Sequence, residues 1–236
     1  MPESTSAERN IPHWLIQTWQ ILVKDLVLGW RTRAKVVAMV VFAGTMLLLF
    51  SFAIGPNNTL LAKHAAGYVW LSALLSSTLL LSQSFQVEGE SGALEGLLLL
   101  PVDPRAIFYG KALANWVVLS LLTGLVLVGG FFLFSVEIQA HPLQFVSILL
   151  LGSAGISAPG TLYSALTARA QAQQLMLPVL LFPLVIPCML AAVKATGFLI
   201  QGDPMDQGGS WTMLLICFNL IYWALGGVLF GKVVDE

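Results

Sequence analysis

The residues of this chain whose types and spacing could do chemistry fall into few groups. Gly226–Val233 reads GGVLFGKV, close to the GxxxxGK[ST] loop that cradles nucleotide phosphates. That loop needs a hydroxyl after its lysine to hold Mg²⁺, and Val233 stands there. The stretch also closes an apolar run, whereas a phosphate loop opens a helix after a strand. It reads instead as a helix-packing element, with Gly227 and Gly231 four residues apart. ATP hydrolysis is therefore assigned to a separate chain. Ser164, in GTLYSAL, could serve as a nucleophile, but hydrolysis needs a base and an orienting group, and no histidine falls at its depth. His13, His64 and His141 show neither HExxH nor paired spacing and read as loop or interface groups, so no catalytic or metal-ligating residue is assigned. Cys188 and Cys217 lie in apolar runs without a CxxC or CxxCH pattern. The remaining group is acidic. Gln86–Pro104, QVEGESGALEGLLLLPVDP, holds Glu88, Glu90, Glu95 and Asp103 between two long apolar runs. At 100° per residue, Glu88, Ser91, Gly92 and Glu95 share one face, and Val87, Leu94, Leu97 and Leu98 another. Such a helix lies along a membrane surface, acidic side outward, as a handle on which a soluble partner can push.

The elements that must position this handle are spans. The chain has 236 residues, 57% hydrophobic and 10% charged, with a mean hydropathy of +0.85. A soluble domain carries roughly 25% charged residues, so this chain has too little charge to cover a globule. A net charge of −1 excludes a nucleic-acid partner, which would need a basic patch. Apolar runs of bilayer length occur at Val36–Ile54, Ala65–Val87 (ending near Ser84), Ala112–Val136 (entered from Arg105), Pro142–Ala168, Gln171–Val193 and Trp211–Gly231. Six spans place both termini on one side. With that side inward, Arg9, Lys24, Arg31, Arg33, Lys35, Arg105, Lys111, Arg169 and Lys232 are cytoplasmic, and only Lys63 and Lys194 are outside. The expectation is an N-in, C-in protein of a bacterial inner membrane, in contact with lipid. No charged residue is expected deep within a span, which argues against ion-coupled transport.

Residues 1–35 form the longest soluble segment, followed by a transmembrane domain at 36–236. The polar start, MPESTSAERNIPHW, lacks the apolar core of a cleavable signal, so the first span is expected to stay as an anchor. Leu15, Trp19, Leu22, Leu26 and Trp30 follow helical spacing, which predicts an interfacial helix with tryptophan at headgroup depth. Trp70 and Trp211 are expected to be further belt residues near the outer ends of their spans. The fifth span carries Pro178, Pro183 and Pro187, each removing a backbone hydrogen bond. They read either as a fixed kink or as a hinge in a bundle that switches conformation. Small residues from Gly152 to Gly160 let a neighbouring helix approach closely.

Four stretches together resemble the haem exporter protein B (CcmB) family. They are KDLVLGWRTR (Lys24–Arg33), SFAIGP (Ser51–Pro56), the acidic segment continued through Gly92, Leu94, Glu95, Leu97–Pro101, Arg105–Ile107, Gly110 and Lys111, and GTLYSALTARAQAQQLMLPVLLFPLVIP (Gly160–Pro187). Gly29 and the glutamines at 171, 173 and 174 depart from the family's charged pattern. The resemblance implies an all-α integral membrane protein with six transmembrane helices. It is like the ABC-2 type permeases, with an N-terminal interfacial helix and a cytoplasmic coupling helix at about 87–100, between spans two and three. It implies a non-enzymatic permease subunit of an ATP-driven complex that delivers haem to a periplasmic haem chaperone in c-type cytochrome biogenesis. Glu88, Glu90, Gly92, Leu94, Glu95, Leu97, Leu98, Pro101 and Arg169 would contact the ATPase. Pro178, Pro183, Pro187 and Gly160 would serve as hinge and packing positions. The implied partners are a CcmA-like ATPase that binds the ATP, a CcmC-like haem-handling membrane subunit, a small CcmD-like accessory subunit and a second copy of this chain. Haem is one candidate for the transported species, whether or not it passes through this chain itself, and no cofactor is assigned to this chain. The alternatives are an ABC-2 type permease for a lipid or drug, and a non-transporting scaffold of the complex.

Overall fold

The computed structural model describes residues 13–31, 33–85, 103–136, 142–168 and 173–235. Seven α-helices run through them: α1 His13–Arg31, α2 Arg33–Ile54, α3 Asn58–Gln83, α4 Pro104–Leu133, α5 Pro142–Thr167, α6 Gln173–Gln201 and α7 Gly208–Asp235. Six, α2 to α7, are long and apolar enough to cross a membrane, as the sequence predicts.

Local chemistry sets the helix ends. Gly55, at φ +76°, stops α2 in a conformation that side chains rarely adopt. The Asn57 carboxamide oxygen then accepts from the Leu60 N–H at 3.2 Å and starts α3. Asp103 caps α4 by accepting from the Arg105 N–H at 2.9 Å, and Pro104 fills the first turn, where no donor is needed. Asp203 accepts from the N–H groups of Gln207, at 2.9 Å, and Gly208, at 2.5 Å, just ahead of α7. These bonds hold its carboxyl below the usual carboxylate range, Gly208 contributing most.

Helices α3 and α5 form the centre of the bundle. Each buries 61% of its most apolar stretch, against 17% for α2. Both are rich in small residues, such as Ala65, Ala66, Ser76 and Ser77 on α3 and Gly152, Ser153 and Ala158 on α5, so backbones can approach where lipid offers no hydrophobic drive. Among its described side chains, helix α2 buries only the stripe Met39, Ala43 and Leu47, at helical spacing, while Val37, Val41 and Phe52 face outward.

Some expectations change. Helix α3 starts at Asn58 rather than Ala65, and α6 runs to Gln201 rather than Val193. Each thus takes in a lysine, Lys63 and Lys194, near the end of its helix. Long stems let such cations reach water, so charge does not end a span there. Trp70 is no belt residue. It is fully buried midway along α3, its ring pressed on Gly152 and its indole N–H donating to Thr196 Oγ at 2.9 Å. Trp211, half-buried, packs against the same core.

Candidate functional site at the base of the bundle

Phe85, just before the acidic segment, and Asp103, at its far end, lie where α3 ends and α4 begins. Glu88, Glu90, Gly92, Leu94, Glu95, Leu97, Leu98, Pro101 and Arg169 lie outside the described residues. What the structure defines is the seat on which both ends of the segment are held.

Helix α1 lies across the start of α4. A Cβ at Gly110 would stand 2.7 Å from Ile21 Cβ and 3.0 Å from the Thr18 carbonyl oxygen, so only glycine permits this approach. Thr18 is buried there and donates to the Trp14 carbonyl at 2.8 Å. The far side of α1, including Leu15, Trp19 and Val23, is exposed. That is the apolar face expected of an interfacial helix. The Asp103 N–H donates to Gln17 Oε1 at 3.3 Å, tying the acidic segment's far end to α1.

Lys111 occupies the middle of this seat, its side chain only 3% exposed. Its ammonium pairs with Asp25 of α1 at 3.2 Å and donates to the Ser84 carbonyl, past the end of α3, at 2.8 Å. It also sits 4.7 Å from the centre of the buried Phe85 ring. Asp25 is shared with Lys24, at 3.2 Å. A charge buried this far must be paired and hydrogen-bonded, and here the pairing joins three helices. Sequence reasoning counts Lys111 as a cytoplasmic cation and expects no charged residue deep within a span. The structure places it inside the bundle, near the start of α4 rather than at mid-helix.

A second polar layer lies alongside. Asn115 donates to Thr161 Oγ at 2.9 Å and to Ser84 Oγ at 3.1 Å, linking α4, α5 and the end of α3. Ser157 donates to the Ala112 carbonyl at 2.6 Å, and Ser164 to the Leu81 carbonyl at 2.5 Å. The Ser164 hydroxyl thus forms an interhelical tie between α5 and α3.

Below these ties is an aromatic layer. Phe108 and Phe85 lie 5.8 and 5.9 Å from Phe230, and Tyr109 stacks on Trp223 at 6.3 Å while donating to its carbonyl at 3.2 Å. Gly226 receives the Phe108 ring and Gly227 the Tyr109 ring. The GGVLFGKV stretch is therefore an interior part of α7 that seats this layer. Gly226 and Gly227 make the close approach; Gly231 comes only within 3.8 Å of Pro104.

The other predicted positions lie apart. Gly160 presses on Leu81 of α3, a packing contact, while Pro178, Pro183 and Pro187 sit within α6. The helix continues through all three, with Pro183 and Pro187 exposed and Pro178 half-buried. A further intrahelical proline, Pro159, is buried in α5 beside Gly160; its place in the sequence ISAPGTL is a visible signal, unused because small residues surround it. The Lys111–Asp25 pair has no such signal. Its partners are 86 residues apart, and only the helix packing shows that they meet. Among the described residues no cluster of side chains fits a metal ion.

Six membrane-length helices around a small-residue centre, with an amphipathic helix laid across the base of α4, define a multi-pass, all-α integral membrane protein of the permease type. The family model described as CcmB protein matches residues 16–233. Similar chains include Heme exporter protein B of Rhodobacter capsulatus, 33% identical with 72% of this chain and 78% of that protein covered. Others are the proteins of the same name from Pseudomonas aeruginosa, 31% identical over 85% and 89%, and Escherichia coli K12, 31% identical over 80% and 85%. The chain belongs to the CcmB family.

Proposed function

We propose that this chain is the membrane permease subunit of an ATP-driven complex that moves or delivers haem during c-type cytochrome biogenesis. The carrying observation is the family match along almost the whole chain, together with relatives named Heme exporter protein B. The base geometry supports the mechanical part. One margin of the acidic segment, Ser84, is bonded to the buried Lys111, which pairs with Asp25 of α1, and the other, Asp103, is bonded to Gln17 of α1, so force on that segment would reach α1, α3 and α4. ATP would be hydrolysed by a CcmA-like partner docking on residues 87–100, with Arg169 beside it. CcmC-like and CcmD-like subunits, and a second copy of this chain, would complete the assembly. The inner-membrane, N-in orientation is supported by the nine-to-two placement of cations. A reporter fused after Glu236 should read as cytoplasmic, and periplasmic activity there would contradict the orientation.

The functional test is complementation. Expressed in a strain that lacks its own haem exporter protein B, the chain should restore covalent haem staining of c-type cytochromes. Failure at normal membrane expression, together with restored export of a lipid or drug in another strain, would assign a different substrate.

A further inference from the structure

At the end of the bundle opposite the acidic segment, α3 and α6 enclose a cavity of about 310 Å³. Its wall includes Lys63, His64 and Tyr68 from α3 and Lys194, Gly197 and Gln201 from α6. We propose that this cavity binds the oxyanion head, carboxylate or phosphate, of an amphipathic molecule whose apolar body lies against the aromatic wall. The site is a binding function separate from the coupling base.

Charge is the first argument. Both lysines face one cavity, and among the described residues neither forms an ion pair. The described carboxylates at this end, Asp203 and Asp206, line a different cavity, on the other flank of α6, with Phe198 forming part of both walls. Asp203 is already engaged by the N–H groups ahead of α7. Among the described residues no carboxylate lines this cavity beside the two cations, and an anion bound between them would lower their mutual repulsion.

Depth is the second argument. Lys63 lies five residues into α3 and Lys194 seven residues before the end of α6, about 8 and 10 Å at 1.5 Å per residue. The helices, 26 and 29 residues long, exceed the roughly 20 residues that cross the hydrocarbon core. Both ammonium groups therefore reach headgroup depth, where an amphipathic ligand carries its charge.

Shape is the third argument. Gly197 has nothing within 4 Å of where its Cβ would stand, so a larger residue would fill the space instead of meeting protein. Tyr68 is held by stacking on Phe50 at 4.8 Å and by the edge of Phe134 at 5.8 Å, and His64 lies 6.2 Å from it. Gln201 ties the two helices by donating to the Lys63 carbonyl at 2.8 Å, which leaves the lysine side chain out of that bond.

Two sources share this chemistry: an anionic lipid and, resting on the proposed haem function, the two carboxylates of haem. The test uses the full-length chain, with any subunits that co-purify, in phosphatidylcholine nanodiscs. Haemin, haemin dimethyl ester and phosphatidylglycerol are the probes. Binding of haemin or phosphatidylglycerol should fall at least tenfold in Lys63→Gln/Lys194→Gln and in Gly197→Leu. Binding of the ester should be unaffected by the lysine changes. A fall in the haemin arm names the cargo as the source; a fall in the phosphatidylglycerol arm names lipid, and that result stands even if complementation fails. Affinities for both probes within twofold of wild type in the double variant, or no binding by wild type above the phosphatidylcholine background, would overturn the site.

Discussion

Lys111 shows most plainly what a single residue does in this protein. In sequence it is one of several basic residues near a span edge. Folded, it is the buried cation that binds Asp25 and the Ser84 carbonyl. Breaking a buried pair by removing one partner costs about 3–5 kcal/mol. The Asp25 side chain is 17% exposed and also faces Lys24, so the expected loss for Asp25→Asn is nearer 2–3 kcal/mol after allowing for solvent. In a chain of this size that lowers the melting temperature by about 5–10 °C, read by thermal unfolding of the detergent-solubilised protein. An unchanged melting temperature would mean that the pair does not hold the base together. The legibility of other residues depended on whether their role was local. Val233 in the phosphate-loop position was readable because the loop's chemistry is local in sequence. Trp70 was misread because belt and core tryptophans share the same apolar surroundings, and only Thr196, 126 residues away, reveals the indole's partner.

At the scale of elements, the spans were legible because bilayer length and apolar composition are sequence properties. Their ends were less so. Helices α3 and α6 extend past Ala65 and Val193 because a lysine can reach water without ending a helix. The proline series was legible as residues, but not as geometry: α6 stays helical through Pro178, Pro183 and Pro187. If Pro183 allows two conformations, Pro183→Ala should leave the complex assembled and slow its ATP-dependent turnover. The change favours continuous helix by up to about 3 kcal/mol, enough to bias states of similar energy. Wild-type turnover would reduce the proline to fixed architecture. The start of α7 carries a pH-dependent element. Asp203 has a lowered folded pKa, so its capping contribution is present above the ordinary carboxylate pKa of about 4 and is lost as pH falls through the lower folded value. Amide exchange at Gln207 and Gly208, referenced to the intrinsic rate, should lose protection in acid in the wild type. In Asp203→Asn that protection should be low and flat with pH. Acid-insensitive protection in the wild type would show that other bonds hold this helix start.

At the scale of the whole molecule, the two ends of the helix bundle differ. The base, built from α1, the end of α3 and the start of α4, fixes both ends of an acidic amphipathic segment. The opposite end carries a cationic, aromatic cavity. Between them, small buried residues on α3 and α5 pack the helices closely. Composition and spacing made the membrane class visible, while the acidic segment read as a handle lies outside the described residues. They could not show how the handle is anchored, because that depends on contacts between distant helices. The central claim is that an ATPase drives this permease through residues 87–100. Co-purification of the CcmA-like ATPase with variants at equal membrane expression tests it most directly. An unpaired charge in an apolar contact costs several kcal/mol, whereas an exposed charge pair contributes about 0–1 kcal/mol. Leu94→Asp and Gly92→Leu should therefore release the ATPase, while Glu88→Gln should only weaken its retention. Full retention by both Leu94→Asp and Gly92→Leu would contradict the account and place the motor elsewhere on the molecule.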